Sequence, residues 1–353
     1  MTTAQLRVCP PHVAVHDAVS GDGSDEYVAA HPHASSYHRR QWLDVIRAAF
    51  GHETKYLVAA TSRGVVVGVL PLVFFRSRLF GQFAVSMPFL NYGGVLADNQ
   101  ESEAVLLQRA IAETRSAGGR HLELRHVRQH FSELTPKRHK VAMELMLTPT
   151  VDTQWEALDR KVRNQVRKGE KNGLQPVAGG IELLPEFYAV FARNMRDLGT
   201  PVYSQRFFQE VLTTFADETR VFVVRAGGKP VAAALVHWYR DTIQVPWAST
   251  IREFNALSAN VFLYWQMVRF AAERGFRAFD LGRSTFGEGT YHFKKQWGAE
   301  PRELVWEYWT ADGHPVPHLS PKNPKFDVAI RIWQRLPVRV ATTLGPLVVR
   351  NIP

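Results

Sequence analysis

Three consecutive stretches decide the fold: Tyr56-Leu-Val-Ala-Ala, Thr61-Ser-Arg-Gly and Val65-Val-Val-Gly-Val-Leu-Pro-Leu-Val-Phe-Phe. β-Branched and aromatic residues on either side of a Gly-containing break predict strand, turn, strand. Glu101 to Ala117 follows with helical spacing, Gly118-Gly119 closes it, and His121-Leu-Glu-Leu-Arg-His-Val alternates as a strand. The same order returns in the second half. Arg220-Val-Phe-Val-Val, the turn Ala226-Gly-Gly-Lys and Pro230-Val-Ala-Ala-Ala-Leu-Val-His-Trp repeat the hairpin. A helix over Ser258 to Arg274, Gly275 and Phe276-Arg-Ala-Phe-Asp-Leu-Gly repeat the crossover. Gly68 and Ala232 are 164 positions apart, and Leu122 and Phe279 are 157 apart. Offsets this similar predict internal duplication of one α/β unit. Chance recurrence of hairpins and amphipathic helices is the plainer reading, and the paired offsets weigh against it.

The chain has 353 residues, of which 45% are hydrophobic and 22% charged, enough for two packed domains without staples. Its single cysteine, Cys9, excludes a disulfide framework and a Cys-based zinc site. The 14 histidines show no metal-ligand spacing with acids, so no metal is expected. Met1 to Asp17 lacks an apolar signal core, and the apolar run Gly64 to Phe75 is too short to span a bilayer. These features predict a cytoplasmic protein.

The formal net charge of +10 is concentrated in two places. Arg160 to Lys171 holds six basic residues against one acid, and Ala311 to Pro353 holds six against two. Local patches of this kind point to anionic partners. In the first, Arg163, Arg167 and Lys171 share a helical row, flanked by Arg160 and Lys168. Like charges at that spacing repel, and arginine forks suit phosphate oxygens, so Arg163, Arg167 and Lys168 are candidate substrate-binding residues. A merely solvated face is the plainer alternative. In the second patch, Pro315, Pro317, Pro321 and Pro324 mark a linker, and Phe326 to Leu336 reads as an amphipathic helix with Arg331, Arg335 and Arg339 in one row. Packing on the body is favoured over membrane contact, because Pro337 breaks the helix.

Phe279 to Pro301 carries the densest chemistry. It leaves a strand through Gly282, Gly287 and Gly289 and collects Asp280, Arg283, Glu288, Tyr291, His292, Lys294 and Lys295. Functional groups gather where a strand ends in a turn. Taken singly, Asp280 reads as a turn cap and His292 as a surface histidine; their density makes this the preferred site. Asn194-Met-Arg-Asp-Leu-Gly-Thr-Pro-Val-Tyr-Ser offers Arg196, Asp197 and Tyr203 to a pocket, or is only a turn. Ser86-Met-Pro-Phe-Leu-Asn-Tyr-Gly-Gly-Val is an apolar loop with polar tips Asn91 and Tyr92, read as a buried turn, with a binding-site wall as the alternative.

These stretches resemble the FemAB family, and within it the subgroup found with exosortase/PEP-CTERM systems. The resemblance rests on His52 to Leu57, Gly68-Val-Leu-Pro-Leu, Ser86 to Gly94, Val162-Arg-Asn-Gln-Val-Arg-Lys, Asp197-Leu-Gly-Thr-Pro-Val-Tyr, Pro246-Trp-Ala-Ser and Asp280 to Pro301. It implies an α/β (α+β) fold of two tandem GNAT-like acyltransferase domains, each a mixed, largely antiparallel sheet flanked by helices. It also implies transfer of an aminoacyl group from aminoacyl-tRNA, or of an acyl group from acyl-CoA, with no tightly bound cofactor. The family's Phe-Lys-x-x-aromatic-Gly pattern falls on Lys294. The long helical arm of some members and the acetyl-CoA signature are both missing, which leaves the donor open.

The expected organisation is an irregular lead-in at 1–33, a first domain at 34–150, a second domain with the active site at 151–310, a linker at 311–325 and a basic amphipathic tail at 326–353. The expected function is N-acyl or aminoacyl transfer to an amine of a cell-envelope or exopolysaccharide precursor, nucleotide- or lipid-linked. Lys294, Asp280, Glu288 and His292 are the catalytic candidates. Arg163, Arg167, Lys168, Tyr203, Arg283, Tyr291 and Lys295 are the substrate-binding candidates. The basic tail would hold the enzyme at the inner face of the plasma membrane. The competing reading is a non-catalytic protein on a degenerate fold that grips nucleic acid or glycan.

Overall fold

The structure, a computed structural model, describes residues 13–77, 80–311, 314–316 and 327–353. Cys9 and most of the Pro-rich linker lie outside the described residues. The first half runs β1 (Val13–Asp17), α1 (Ser24–Ala30), α2 (Gln41–Phe50), β2 (Glu53–Thr61), β3 (Val66–Ser77), β4 (Gly81–Val85), a short β5 (Leu96–Ala97), α3 (Gln100–Ser116), β6 (His121–His126) and β7 (Thr135–Met146). Gly51 ends α2 at φ +70°, and Asn99 caps α3 by accepting the Ser102 amide at 2.9 Å.

Two connecting helices follow, α4 (Val151–Ala157) and α5 (Arg160–Lys171). The second half then runs β8 (Gln175–Gly179), α6 (Leu184–Asp197), α7 (Gln205–Thr214), β9 (Thr219–Ala226), β10 (Lys229–Tyr239), β11 (Thr242–Thr250), α8 (Ala259–Glu273), β12 (Ala278–Thr285), α9 (Gly289–Lys295) and β13 (Glu300–Thr310). Gly227 and Gly228, at φ +55° and +77°, make the tight β9–β10 turn that side chains would resist. The helices α10 (Asp327–Arg335) and α11 (Val338–Val349) lie against α6.

The duplication extends element by element. Strands β1 to β4 correspond to β8 to β11, α2 to α7, α3 to α8, β6 to β12 and β7 to β13. In each half an antiparallel meander ends in one parallel pair made by a helical crossover, β4 with β6 and β11 with β12. The last strand of each half then crosses over. β7 pairs with β12, β13 pairs with β6, and the two exchanged strands pair with each other. One continuous sheet results, β1-β2-β3-β4-β6-β13-β7-β12-β11-β10-β9-β8, with β5 alongside β3. The counterpart helices α2 and α7 pack together over the junction. One core cluster spans both halves there, including Trp42, Phe50, Phe207 and Trp247.

Two expectations change. The stretch 1–33 is not irregular throughout: β1 adds an edge strand to β2, and α1 lies against β3. The row Arg331, Arg335, Arg339 is not one helical row. Pro337 separates α10 from α11, so Arg339 belongs to the second helix.

Candidate active site

The two strands of the second parallel pair stay together for three residues and then part. Thr242, Ile243 and Gln244 pair with Ala278, Phe279 and Asp280. Beyond Asp280 the register shifts, and β12 continues on β7 with Arg283 opposite Ala142. Gly282 makes this bend at φ +80°; a Cβ there would lie 3.0 Å from the Val245 carbonyl oxygen, so only glycine fits. From α9 the Lys294 side chain reaches into the parting. Its Nζ donates to the carbonyls of Gly282 at 2.9 Å and Arg283 at 3.0 Å. Lys294 is 7% exposed. Burial pulls its pKa down to about 8, with Asp280 opposing and Arg283 reinforcing the shift.

Asp280 is buried beside it. One carboxylate oxygen accepts the Gly282 amide at 2.8 Å, and the other accepts the Tyr92 hydroxyl at 3.0 Å. Gln244 Nε2 donates to the Tyr92 oxygen at 3.1 Å. Tyr92 comes from the first half, on the buried loop between β4 and β5. Met87 and Phe89 in that loop hold φ of +50° and +68°, conformations that non-glycine residues keep only under constraint. Burial, and then the Asp280 charge, hold the Tyr92 phenol well above its ordinary pKa.

A cationic cluster borders this group. Arg125 pairs with Glu123 at 2.7 Å, and Glu123 also accepts the Tyr308 hydroxyl at 2.8 Å. The guanidiniums of Arg125 and Arg283 lie 4.3 and 5.1 Å from the Trp306 ring centre. Burial, then the Arg125 charge, lower the Arg283 pKa to about 10. Tyr203 faces the same charges: burial raises its phenol, and Arg283 and Arg125 pull against it. Glu123 thus pairs with Arg125, while Arg283 Nη1 has no partner among the described residues.

Buried polar atoms lacking a partner concentrate here. Among the described residues they include Tyr37 Oη, Asn91 Nδ2, Gln244 Oε1, Arg283 Nη1, Arg302 Nε and Trp306 Nε1. Folded proteins leave few such groups, and a cluster of them marks a place built for something other than packing. A cavity of about 370 Å³ between the halves is lined by Tyr92, Gln244, Arg125 and Arg302, with His31, His38, His126 and His130 around it. Burial holds His38 down to about 3 and His130 to about 4, so these rings stay neutral at pH 7.

Of the sequence-derived candidates, the structure brings Asp280, Lys294, Arg283 and Tyr203 to this junction. Glu288 and His292 are exposed on the outer turn, with His292 Nε2 3.1 Å from the Gly287 oxygen. Lys295 is engaged by both oxygens of Glu300, at 2.8 and 2.7 Å. Tyr291 is buried in the second half's core, with the exposed Phe286 ring against it. Arg163, Arg167 and Lys168 lie on α5, which packs on α8; Arg163 donates to the Glu156 carbonyl and Arg167 covers the Trp155 ring, away from the hydrogen bonds of Lys294 and Asp280. Gln244, Arg125, Glu123, Trp306 and Tyr308 are additions. Arg125 and Glu123 had one signal in the sequence, the alternation of His121 to Val127; Gln244, Trp306 and Tyr308 had none. Among the described residues no group of three or more metal-ligating side chains occurs, and no helix is long and apolar enough to cross a membrane.

Comparison with known proteins agrees with this architecture. Residues 158–295 match the family described as an acetyltransferase (GNAT) domain. The solved structure of FemX is similar with a TM-score of 0.63 at 14% identity, covering 83% of this chain and 96% of its own. The C-terminal domain of a putative lysylphosphatidylglycerol synthetase from Agrobacterium fabrum gives 0.53 at 15% identity, covering 81% and 92%. A tandem GNAT protein from the clavulanic acid biosynthesis pathway gives 0.50 at 13% identity, covering 87% and 100%. No curated protein sequence matches significantly. The chain carries a tandem GNAT-like fold.

Proposed function

We propose that the protein is an N-acyltransferase that moves an aminoacyl group onto an amine of a cell-envelope or exopolysaccharide precursor. The observation that carries this reading is the buried Lys294 ammonium, held between two parting strands within a cluster of unpartnered polar groups. A neutral amine attacks the donor carbonyl carbon, the new C–N bond forms, and negative charge develops on the carbonyl oxygen. A fixed cation in a dry site stabilises that charge strongly. Collapse of the intermediate expels the donor's leaving oxygen or sulfur. The amine's proton passes to the Tyr92 oxygen as Tyr92 passes its own to Asp280, and a proton returns by the same route to the leaving oxygen or sulfur. The cavity lined by Arg125 and Arg302 suits an anionic acceptor.

Two fold neighbours bear names that touch on the donor question. One is named for a lysylated phospholipid product, and another, the tandem GNAT protein, was solved in a form described as being without AcCoA. The long helical arm and the acetyl-CoA signature are both missing, so the assay below decides the donor. The test supplies bulk tRNA charged with radiolabelled amino acids, and separately acetyl-CoA, to the purified chain with an envelope-precursor extract. The reading expects label to move from tRNA into an alkali-stable amide, and Lys294→Met to stop it. Thiol release from acetyl-CoA alone rejects the aminoacyl donor. No transfer from either donor, with nucleic acid or glycan held through α5 in a steeply salt-dependent manner, establishes the non-catalytic reading.

A further inference from the structure

Exposed apolar surface is unevenly spread over the molecule. Among the described residues twelve large apolar side chains are exposed, and six of them are Val328 and Ile332 on α10 and Val340, Leu344, Leu347 and Val348 on α11. Helix α11 is apolar on two faces. Ala341, Gly345 and Val349, at four-residue steps, are buried, and a Cβ on Gly345 would lie 2.9 Å from the Val202 backbone, so this face is seated tightly on the body. The adjoining row, Val340, Leu344, Leu347 and Val348, is exposed at helical spacing, with Leu347 and Val348 at the mouth of a groove under the helices. A soluble surface seldom concentrates apolar groups this way without a partner.

The fringe of this face is basic. Arg331, Arg335, Arg339 and Arg350 are exposed on or beside the two helices, and the only acid within residues 327–353 is Asp327. This groove, of about 1090 Å³, is lined mainly by apolar groups, Phe74, Phe80, Trp333 and Leu347 among them, with Arg350 and the ion pair Arg76–Glu53 (2.8 Å) also on its wall.

The charges choose the occupant. A second copy docking on the same face by two-fold symmetry would set one arginine fringe against another. A partner must therefore offer hydrocarbon at the centre and negative charge at the edge. We propose that the α10–α11 face docks on an anionic phospholipid bilayer. The outer row of α11 enters the acyl boundary, the arginines meet lipid phosphates, and the groove admits one acyl chain. This interaction is independent of the reaction proposed above.

The test is co-flotation of the full chain with vesicles of phosphatidylcholine alone or with about 30% phosphatidylglycerol, at low and high salt. The proposal expects binding to the anionic vesicles that weakens with salt. Replacing Arg331, Arg335 and Arg339 together by glutamine lowers the partition by about 100-fold, since each arginine near an anionic leaflet contributes about fivefold. The matching lysine triple variant stays within a few-fold of native. Leu344→Ser with Leu347→Ser, both exposed and outside the core, lowers binding by at least about tenfold while the thermal melt is unchanged. Failure to float, equal binding to neutral vesicles, or undiminished binding by the leucine variant overturns the proposal. So does a dimer in sedimentation that the leucine variant dissolves, which would assign the face to a second copy.

Discussion

Replacing Lys294 with methionine separates a catalytic cation from a structural strut. Burial lowers the lysine pKa from 10.5 to about 8. That gap corresponds to ~3 kcal/mol. The unfolded chain keeps the proton up to about pH 10.5 and the folded chain only to about 8. The charged lysine therefore opposes folding in full below pH 8, progressively less from 8 to 10.5, and not at all above. Methionine removes that cost at pH 7. It also removes two hydrogen bonds, to the Gly282 and Arg283 carbonyls, each contributing about 1–3 kcal/mol. The two effects offset, so the variant should fall within about 2 kcal/mol of native stability at pH 7. Acyl transfer should fall by about 10²–10³, the loss typical of removing one oxyanion stabiliser. Urea denaturation at pH 7 and 9.5 measures the first effect. The native protein gains stability relative to the variant over that interval. A variant destabilised by more than about 4 kcal/mol at pH 7, with the same pH dependence as native, refutes the reasoning and makes Lys294 a strut.

Tyr92→Phe removes the hydroxyl between Asp280 and Gln244; it should cost about 1–3 kcal/mol in urea titrations and lower transfer by more than about tenfold. An unchanged rate would exclude the proton route through Tyr92. His38 and His237, both fully buried, are held at about 3 chiefly by burial, against 6.5 when unfolded. Their stabilising contribution is whole above pH 6.5 and falls by ~1.4 kcal/mol per pH unit for each ring as pH drops towards 3, so His237→Gln should flatten the acid limb of a stability–pH curve. Glu307 accepts His126 Nδ1 at 2.6 Å and the amides of His130 and Phe131 at 3.0 and 2.8 Å, which hold its carboxyl below the usual range despite burial. Glu307→Gln should cost ~3 kcal/mol, read by thermal and urea melts. Gly345→Val drives a side chain into the Val202 backbone; it should loosen α11 by about 1–3 kcal/mol, seen as faster hydrogen exchange over 338–349.

The repeat was legible because its signals are local. A hairpin turn with glycine, and a helix closed by glycine before a strand, each occupy a short window, and both recur. The strand exchange was not legible, because no local pattern says whose sheet a strand joins. β7 opens on Thr135-Pro-Lys-Arg-His-Lys and carries few apolar residues, yet it lies mid-sheet between β12 and β13. Asp280, Arg283 and Lys294 could be grouped from the sequence since one strand, turn and helix carry all three. Tyr92, Arg125 and Trp306 could not, because they come from separate strands and loops that meet only once the halves close. The row Arg163, Arg167, Lys171 on α5 was legible as a basic face, but not its place apart from the junction. Arg167 has found the Trp155 ring, and the row faces outward from the junction.

The central claim places acyl transfer where β11 and β12 part. A crystal structure of the chain soaked with acetyl-dethia-coenzyme A, and another with an RNA minihelix carrying a non-hydrolysable 3′-aminoacyl amide, tests it directly. At least one probe should set its carbonyl oxygen within about 3 Å of Lys294 Nζ, beside Gly282. Carbonyl density on the outer face of α5, or in the apolar groove under α10, with the parting strands left untouched, would contradict the account.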